Sequence, residues 1–290
     1  MEISYRYVKA GMFVIGKTSN MNPKGRVSSA SVSGGGTKPS TATASKASSG
    51  RAPKSPYRDN YASNRRSFRE AENLMLSNFE SKEKTTYITL KYDIPEFSTK
   101  KFHNDMKMFF KAIRRKYKEN PMKYIYATEL SHDLSYHVHC IIFWEDKAPK
   151  DIDSFWNNGT AYSKSIKKDE EFLYLVRYLT GYNRETTDDE REENFPGLTD
   201  EEIARMDYFK NSNSMAEKKI IKTERLKKMP AGIQLFPHSR GMKKAEVKEC
   251  SKEEYEKTIG EEKDCLLIGH TTKDINGFIA QFDYAARFVG

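Results

Sequence analysis

The order of elements predicts an α+β protein: a central antiparallel β-sheet with flanking helices, followed by a C-terminal α+β extension. Two observations predict it. Between Thr85 and Tyr182, short runs rich in β-branched and aromatic residues are interleaved with amphipathic stretches in the order strand, helix, strand, strand, short strand, helix. The second and third runs flank a six-residue polar turn, Leu130-Ser131-His132-Asp133-Leu134-Ser135, which marks a hairpin. Such an order packs as an antiparallel sheet covered by helices on one face, leaving the other face open to a ligand.

The elements follow in sequence. Tyr7-Val8 and Met12-Phe13-Val14-Ile15 form a short strand-like segment within residues 1–18. Residues 19–60 are Ser, Gly, Ala, Thr, Lys and Pro with scarcely a large apolar side chain, including Gly34-Gly35-Gly36. Such a stretch cannot bury enough surface to offset its ordering entropy, so a disordered basic linker is expected there. Ser67 and Glu70 have the spacing of a capping box and predict a helix start. Thr86-Tyr87-Ile88-Thr89-Leu90-Lys91-Tyr92 reads as the first strand of the ordered core. Ser98 is a candidate N-cap for a helix running to about Tyr117, with Phe102, Met106, Phe109, Phe110 and Ile113 at helical spacing. Strands are expected at Lys123 to Glu129, at Tyr136 to Trp144 and near Ala161-Tyr162-Ser163, then a helix from Glu170 to Tyr182. These elements place one domain at residues 61–187. Residues 188–290 form an accessory region that opens on an acidic loop, Asp188 to Glu193, and carries strands at Leu266 to Ile268 and Gly277 to Phe282.

Composition bounds the class. Hydrophobic residues make up 37% and charged residues 31%, which suits a soluble globular protein with polar extensions. The longest apolar stretches, such as Cys140-Ile141-Ile142-Phe143-Trp144, are too short to span a bilayer, and no membrane association is expected. The polar start, Met1-Glu2-Ile3-Ser4-Tyr5-Arg6, does not read as a secretory signal. Cys140, Cys250 and Cys265 have no CxxC spacing, which argues against a structural zinc site and fits a reducing cytoplasm. The formal charge of +9 is unevenly spread: residues 1–80 hold 13 Lys/Arg against 5 Asp/Glu, and the rest of the chain is nearly neutral. A basic arm of this kind suits a polyanion.

The strongest chemical signal is Tyr136-His137-Val138-His139-Cys140. Side chains alternate across a strand, so His137 and His139 share a face and can converge on one cation. In a hairpin register Glu129 falls opposite His137 on that face, giving mixed N/O ligation for a divalent metal with positions left open. His132, in the turn, competes as third ligand. The second signal is Tyr174-Leu175-Val176-Arg177-Tyr178. On a helix, Tyr174, Tyr178 and Tyr182 form one phenolic stripe. A phenol with a pKa near 10 is a poor nucleophile at neutral pH and attacks phosphate only with help from a metal and cations such as Arg177.

His137-Val138-His139 resembles the His-hydrophobe-His motif of the HUH endonucleases. Thr86 to Tyr92 is similar to their first strand motif, and Tyr174 to Tyr178 resembles the two-tyrosine motif of replication initiators from small single-stranded DNA phages and bacterial plasmids. All three stand in the family's order. The resemblance implies an RRM/ferredoxin-like sheet of about five strands with the metal site on its exposed face. It implies Mg²⁺ or Mn²⁺ held by His137, His139 and Glu129, with Lys91 and Arg177 contacting DNA. Tyr174 is expected to attack a scissile phosphate in a single-stranded origin hairpin, leaving a 5′-phosphotyrosyl link and a free 3′-OH that starts rolling-circle replication. Tyr178 is expected to act second. This chain has Arg177 where Lys is usual and Gly181 where a second Lys often follows, which keeps charge stabilisation and weakens the case for proton transfer there.

The competing readings are a relaxase or transposase of the same superfamily, a two-His-one-carboxylate iron oxygenase, and a non-catalytic single-stranded DNA-binding protein. No Gly-x-x-x-x-Gly-Lys-Ser/Thr sequence is present. A role in replication therefore calls for a host helicase and polymerase, in a bacterial cytoplasm.

Overall fold

The computed structural model describes residues 4–19, 61–180, 188–206, 215–260, 267–275 and 278–288. The linker expected at 19–60 and the third tyrosine of the stripe, Tyr182, lie outside the described residues, Ser19 apart.

Two antiparallel sheets organise the chain. The first contains β3 (Thr85–Lys91), β4 (Met122–Leu130), β5 (Tyr136–Trp144) and β6 (Ala161–Ser165) in the order β4-β5-β3-β6. Its four strands stand where the resemblance implies about five. The outer edge of β4 is nevertheless occupied. Thr128 N donates to Leu235 O at 2.8 Å, Tyr126 N to Pro237 O at 3.0 Å, and Ser239 N to Tyr124 O at 2.9 Å. Residues 235–239 therefore run along β4 as a fifth row, closing an edge that would otherwise expose unpaired backbone groups. Pro237, which has no N–H, contributes only its carbonyl.

Both faces of this sheet are covered, not one. All nine residues of β5 are buried. On one face, Ile88, Leu90, Val138, Cys140 and Ile142 pack against Phe102, Met106, Phe109, Phe110 and Ile113 of α2 (Thr99–Lys116). That helix begins where the sequence predicts, with Ser98 Oγ accepting from Lys101 N, and ends on Arg114, Arg115 and Lys116, whose charges suit the negative helix terminus. On the other face, Ile125, Ala127, Ile141 and Phe143 meet Met75, Leu76 and Phe79 near the end of α1 (Tyr61–Asn78) and Phe172, Val176 and Leu179 of α3 (Asp169–Thr180). The face expected to be open is thus half roofed by two helices.

The helix start predicted at Ser67 falls inside α1. Ser67 Oγ bonds back to Ser63 O at 3.1 Å, and Glu70 pairs with Arg66 at 2.8 Å, so both side chains are used along the helix surface rather than at a cap. The acidic segment expected as a loop is helical, α4 (Asp188–Asn194). It is followed by α5 (Asp200–Arg205), which opens on a capping box between Thr199 and Glu202, and by α6 (Met215–Lys227).

The second sheet joins the two ends of the chain. β1 (Ser4–Ala10) and β2 (Phe13–Ser19) form a hairpin, flanked by β7 (Glu246–Cys250) on one side and by β9 (Phe278–Phe288) and β8 (Leu267–Ile275) on the other. α7 (Lys252–Ile259) packs on its hairpin. Gly11 turns the hairpin at φ 61°, and a Cβ there would stand 2.6 Å from Leu76 O at the end of α1. Phe13 and Ile15 of β2 enter the same buried cluster as α1 and α3, which ties the second sheet to the first. Among the described residues no helix is long and apolar enough to cross a membrane.

Candidate metal centre and tyrosine helix

The hairpin of β4 and β5 builds the site. Its register pairs Glu129 with His137 and Ala127 with His139. Pleating then puts Glu129, His137 and His139 on one face, with the small Ala127 leaving room beside His139. The turn between the strands is held by Ser131 N donating to Ser135 O at 2.9 Å and by Ser135 N donating to Asp133 Oδ1 at 3.1 Å. One metal-ligating atom from each of Glu129, His137 and His139 lies within 4.8 Å of the others. His132 is exposed in the turn and takes no part in this cluster.

The donor set fits a cation. His137 Nε2 and His139 Nε2 face each other at 3.0 Å, and Glu129 Oε2 stands 3.7 Å from His139 Nε2. On the far side of His139, Nδ1 lies 2.6 Å from Tyr87 Oη and 3.2 Å from Thr89 Oγ1. Those oxygens suit a protonated Nδ1, which fixes the tautomer and turns the Nε2 lone pair inward. His137 Nδ1 is buried and makes no hydrogen bond among the described residues. Burial lowers the pKa of His137 to about 3, helped by the neighbouring His139, and burial lowers that of His139 as well. Both rings are therefore neutral ligands at pH 7. Burial pushes Glu129 the other way, but Lys222 and the two histidines outweigh it and hold the carboxyl at about 2, so it is ionised.

The tyrosine helix reaches this centre at one point. The Tyr178 ring meets His139 edge-on, centroids 6.0 Å apart and planes at 83°. Tyr174, one turn earlier, is 62% exposed. Arg177 is half-buried on the same helix. The start of α3 is pinned to β6 by Lys164 and Glu171 at 2.6 Å, which aims the helix across the site face. Lys91 is exposed and pairs across the ladder with His137. The sheet thus brings Glu129, His137, His139 and Tyr178 together, with Lys91 at the rim and Tyr174 further out.

Two participants escape a reading of motifs. Tyr87 lies inside the first strand run, and its alternation with Thr89 and Lys91 puts it on the histidine face once β3 pairs with β5. Lys222, 2.9 Å from Glu129 Oε1, comes from α6, and no spacing in the sequence signals it.

Comparison with known proteins agrees with this construction. The family model described as Replication-associated protein ORF2 matches residues 85–183. No curated protein and no solved structure matches the chain. The matched stretch opens on β3 and takes in the β4–β5 hairpin with its three ligand residues, and the helix carrying Tyr174 and Tyr178. Residues 85–183 belong to this family of replication-associated proteins, whose members initiate rolling-circle replication.

Proposed function

We propose that the protein nicks and rejoins single-stranded origin DNA by metal-dependent tyrosine transesterification, and so starts rolling-circle replication. The observation that carries this reading is the meeting of Tyr178 with the Glu129, His137 and His139 cluster. His137, His139 and Glu129 are the residues that would hold Mg²⁺ or Mn²⁺. When bound, such a cation supplies Lewis-acid polarisation of the scissile phosphate.

The chain's own residues do the rest. A tyrosine Oη forms a bond to phosphorus while the bond to the 3′ oxygen breaks. The phenolic proton is lost, the leaving oxygen takes one up as a 3′-OH, and the 5′ phosphate stays esterified to the tyrosine. Rejoining is the same exchange in reverse. Tyr87 and Thr89 orient His139, and Lys91 and Arg177 supply positive charge for the phosphodiester and its developing charge. We assign the first attack to Tyr178, on the strength of its contact with His139, and the second to Tyr174. That order reverses the one the sequence suggests. Unwinding and synthesis fall to a host helicase and polymerase, in the cytoplasm of a bacterial cell.

The test is incubation with labelled single-stranded origin DNA and Mn²⁺, followed by mapping of the DNA-bound peptide. Tyr178→Phe is expected to remove the first adduct, and Tyr174→Phe to spare it while impairing strand transfer. An adduct formed in full yield by Tyr178→Phe overturns the order. An adduct formed by the double variant overturns the chemistry and leaves a DNA-binding protein.

A further inference from the structure

Lys222 lies on α6, outside the matched residues 85–183, yet its ammonium sits among groups of the site. Nζ is 2.9 Å from Glu129 Oε1, 3.0 Å from Leu179 O and 3.3 Å from Tyr178 O, and 5.7 Å from the centroid of the Tyr178 ring. An ammonium has three N–H donors, and three oxygens surround this one. The two carbonyls belong to the last turn of α3, whose carbonyl oxygens have no partner within the helix and carry its negative pole. One side chain therefore joins the ligand carboxylate to the end of the helix that presents Tyr178.

The contact has a second effect. Glu129 has two oxygens; Lys222 holds Oε1, while Oε2 faces His139 at 3.7 Å. Only one oxygen is left for a cation, and a fixed positive charge stands beside the place it would occupy. We propose that Lys222 is a positioning residue that restricts Glu129 to ligation through one oxygen, keeps cation binding weak, and locks Tyr178 against the site. This inference rests on the reading of Glu129, His137 and His139 as a cation site. It makes the C-terminal region a working part of the nuclease centre.

The test uses the full chain and Mn²⁺ alone, titrated calorimetrically without DNA, alongside melting temperature and the rate of covalent adduct formation at saturating Mn²⁺. Lys222→Met is expected to bind Mn²⁺ about tenfold more tightly, since a like charge is removed and the second oxygen freed. Its adduct rate is expected to fall at least about tenfold as Tyr178 loses its anchor. Lys222→Arg is expected to keep the parental affinity. A merely structural lysine predicts the opposite, with Mn²⁺ binding equal or weaker. Should Lys222→Met melt early, Lys222→Gln, which keeps a donor without the charge, is expected to show the same tightening. Parental binding of Mn²⁺ that either uncharged variant fails to tighten overturns the role of Lys222 alone. Parental binding that is absent, or unchanged by His137→Ala, overturns the cation site and this proposal with it.

Discussion

One face of β5 holds two halves of equal burial and opposite chemistry. His137 and His139 are each 4% exposed; Ile141 and Phe143, on the same face and further along the strand, are 0% and 6% exposed. The far half meets Phe172 and Val176 of α3 and behaves as core. The near half meets a carboxylate, a tyrosine pair and a lysine. Burial by itself thus separates nothing here. What separates the halves is that the near one collects polar groups whose lone pairs converge, an arrangement a hydrophobic core has no use for.

That contrast is broken most severely by removing a ligand. His137→Ala or His139→Ala is expected to abolish adduct formation while moving the melting temperature by less than about 5 °C, because each deletion removes a buried polar ring. Cleavage retained by the parent in EDTA sinks the metal mechanism. Ile141→Ala, on the same face, is expected to do the reverse. Urea unfolding should show a loss of about 2–4 kcal/mol, with adduct yield per folded molecule unchanged. A fall in activity beyond the loss of folded protein means that the two halves are coupled.

A weaker effect separates the halves by pH. The unfolded chain protonates histidine near 6.5, whereas folded His137 resists protonation down to about 3. Between those values the unfolded state binds more protons, so this contribution to stability is complete above pH 6.5 and is lost as pH falls toward 3. Glu129, held at about 2 against 4.5, adds a loss of the same sign at lower pH, below 4.5. Without added metal, stability is expected to drop between pH 7.5 and pH 5, and His137→Asn to flatten the slope. An equal slope in both proteins places the titrating group elsewhere. The smallest effect is expected at the rim: Lys91→Ala should lower the salt dependence of single-stranded DNA binding by about one unit of log–log slope, whatever the sequence.

Much of the near half was legible in the sequence, for a local reason. Spacing by two on a strand puts His137 and His139 on one face, and a short turn makes the hairpin partner Glu129 computable by counting. The four-residue repeat of Tyr174 and Tyr178 is equally local, but which ring touches the site is not, because that depends on where α3 crosses the sheet. Lys222, the 235–239 row along β4 and the roofing of the site face by α1 and α3 all arise from contacts between distant segments. No periodicity records them. Ser67 shows the converse failure: a correct local pattern for a cap, overruled because the helix had already begun at Tyr61.

The second sheet also sets a timetable for folding. β2 pairs with β9 from Phe13 opposite Phe288 to Ser19 opposite Phe282, so its ladder joins segments from opposite ends of the chain. Closing so long a loop costs entropy before any contact repays it, and contacts of this separation form slowly. The β1–β2 and β4–β5 hairpins need no such search. Refolding is therefore expected to proceed in two kinetic steps, with the hairpin carrying the ligand residues assembled early. The seam between the chain's two ends, through which Phe13 and Ile15 help roof that hairpin, is expected to close last.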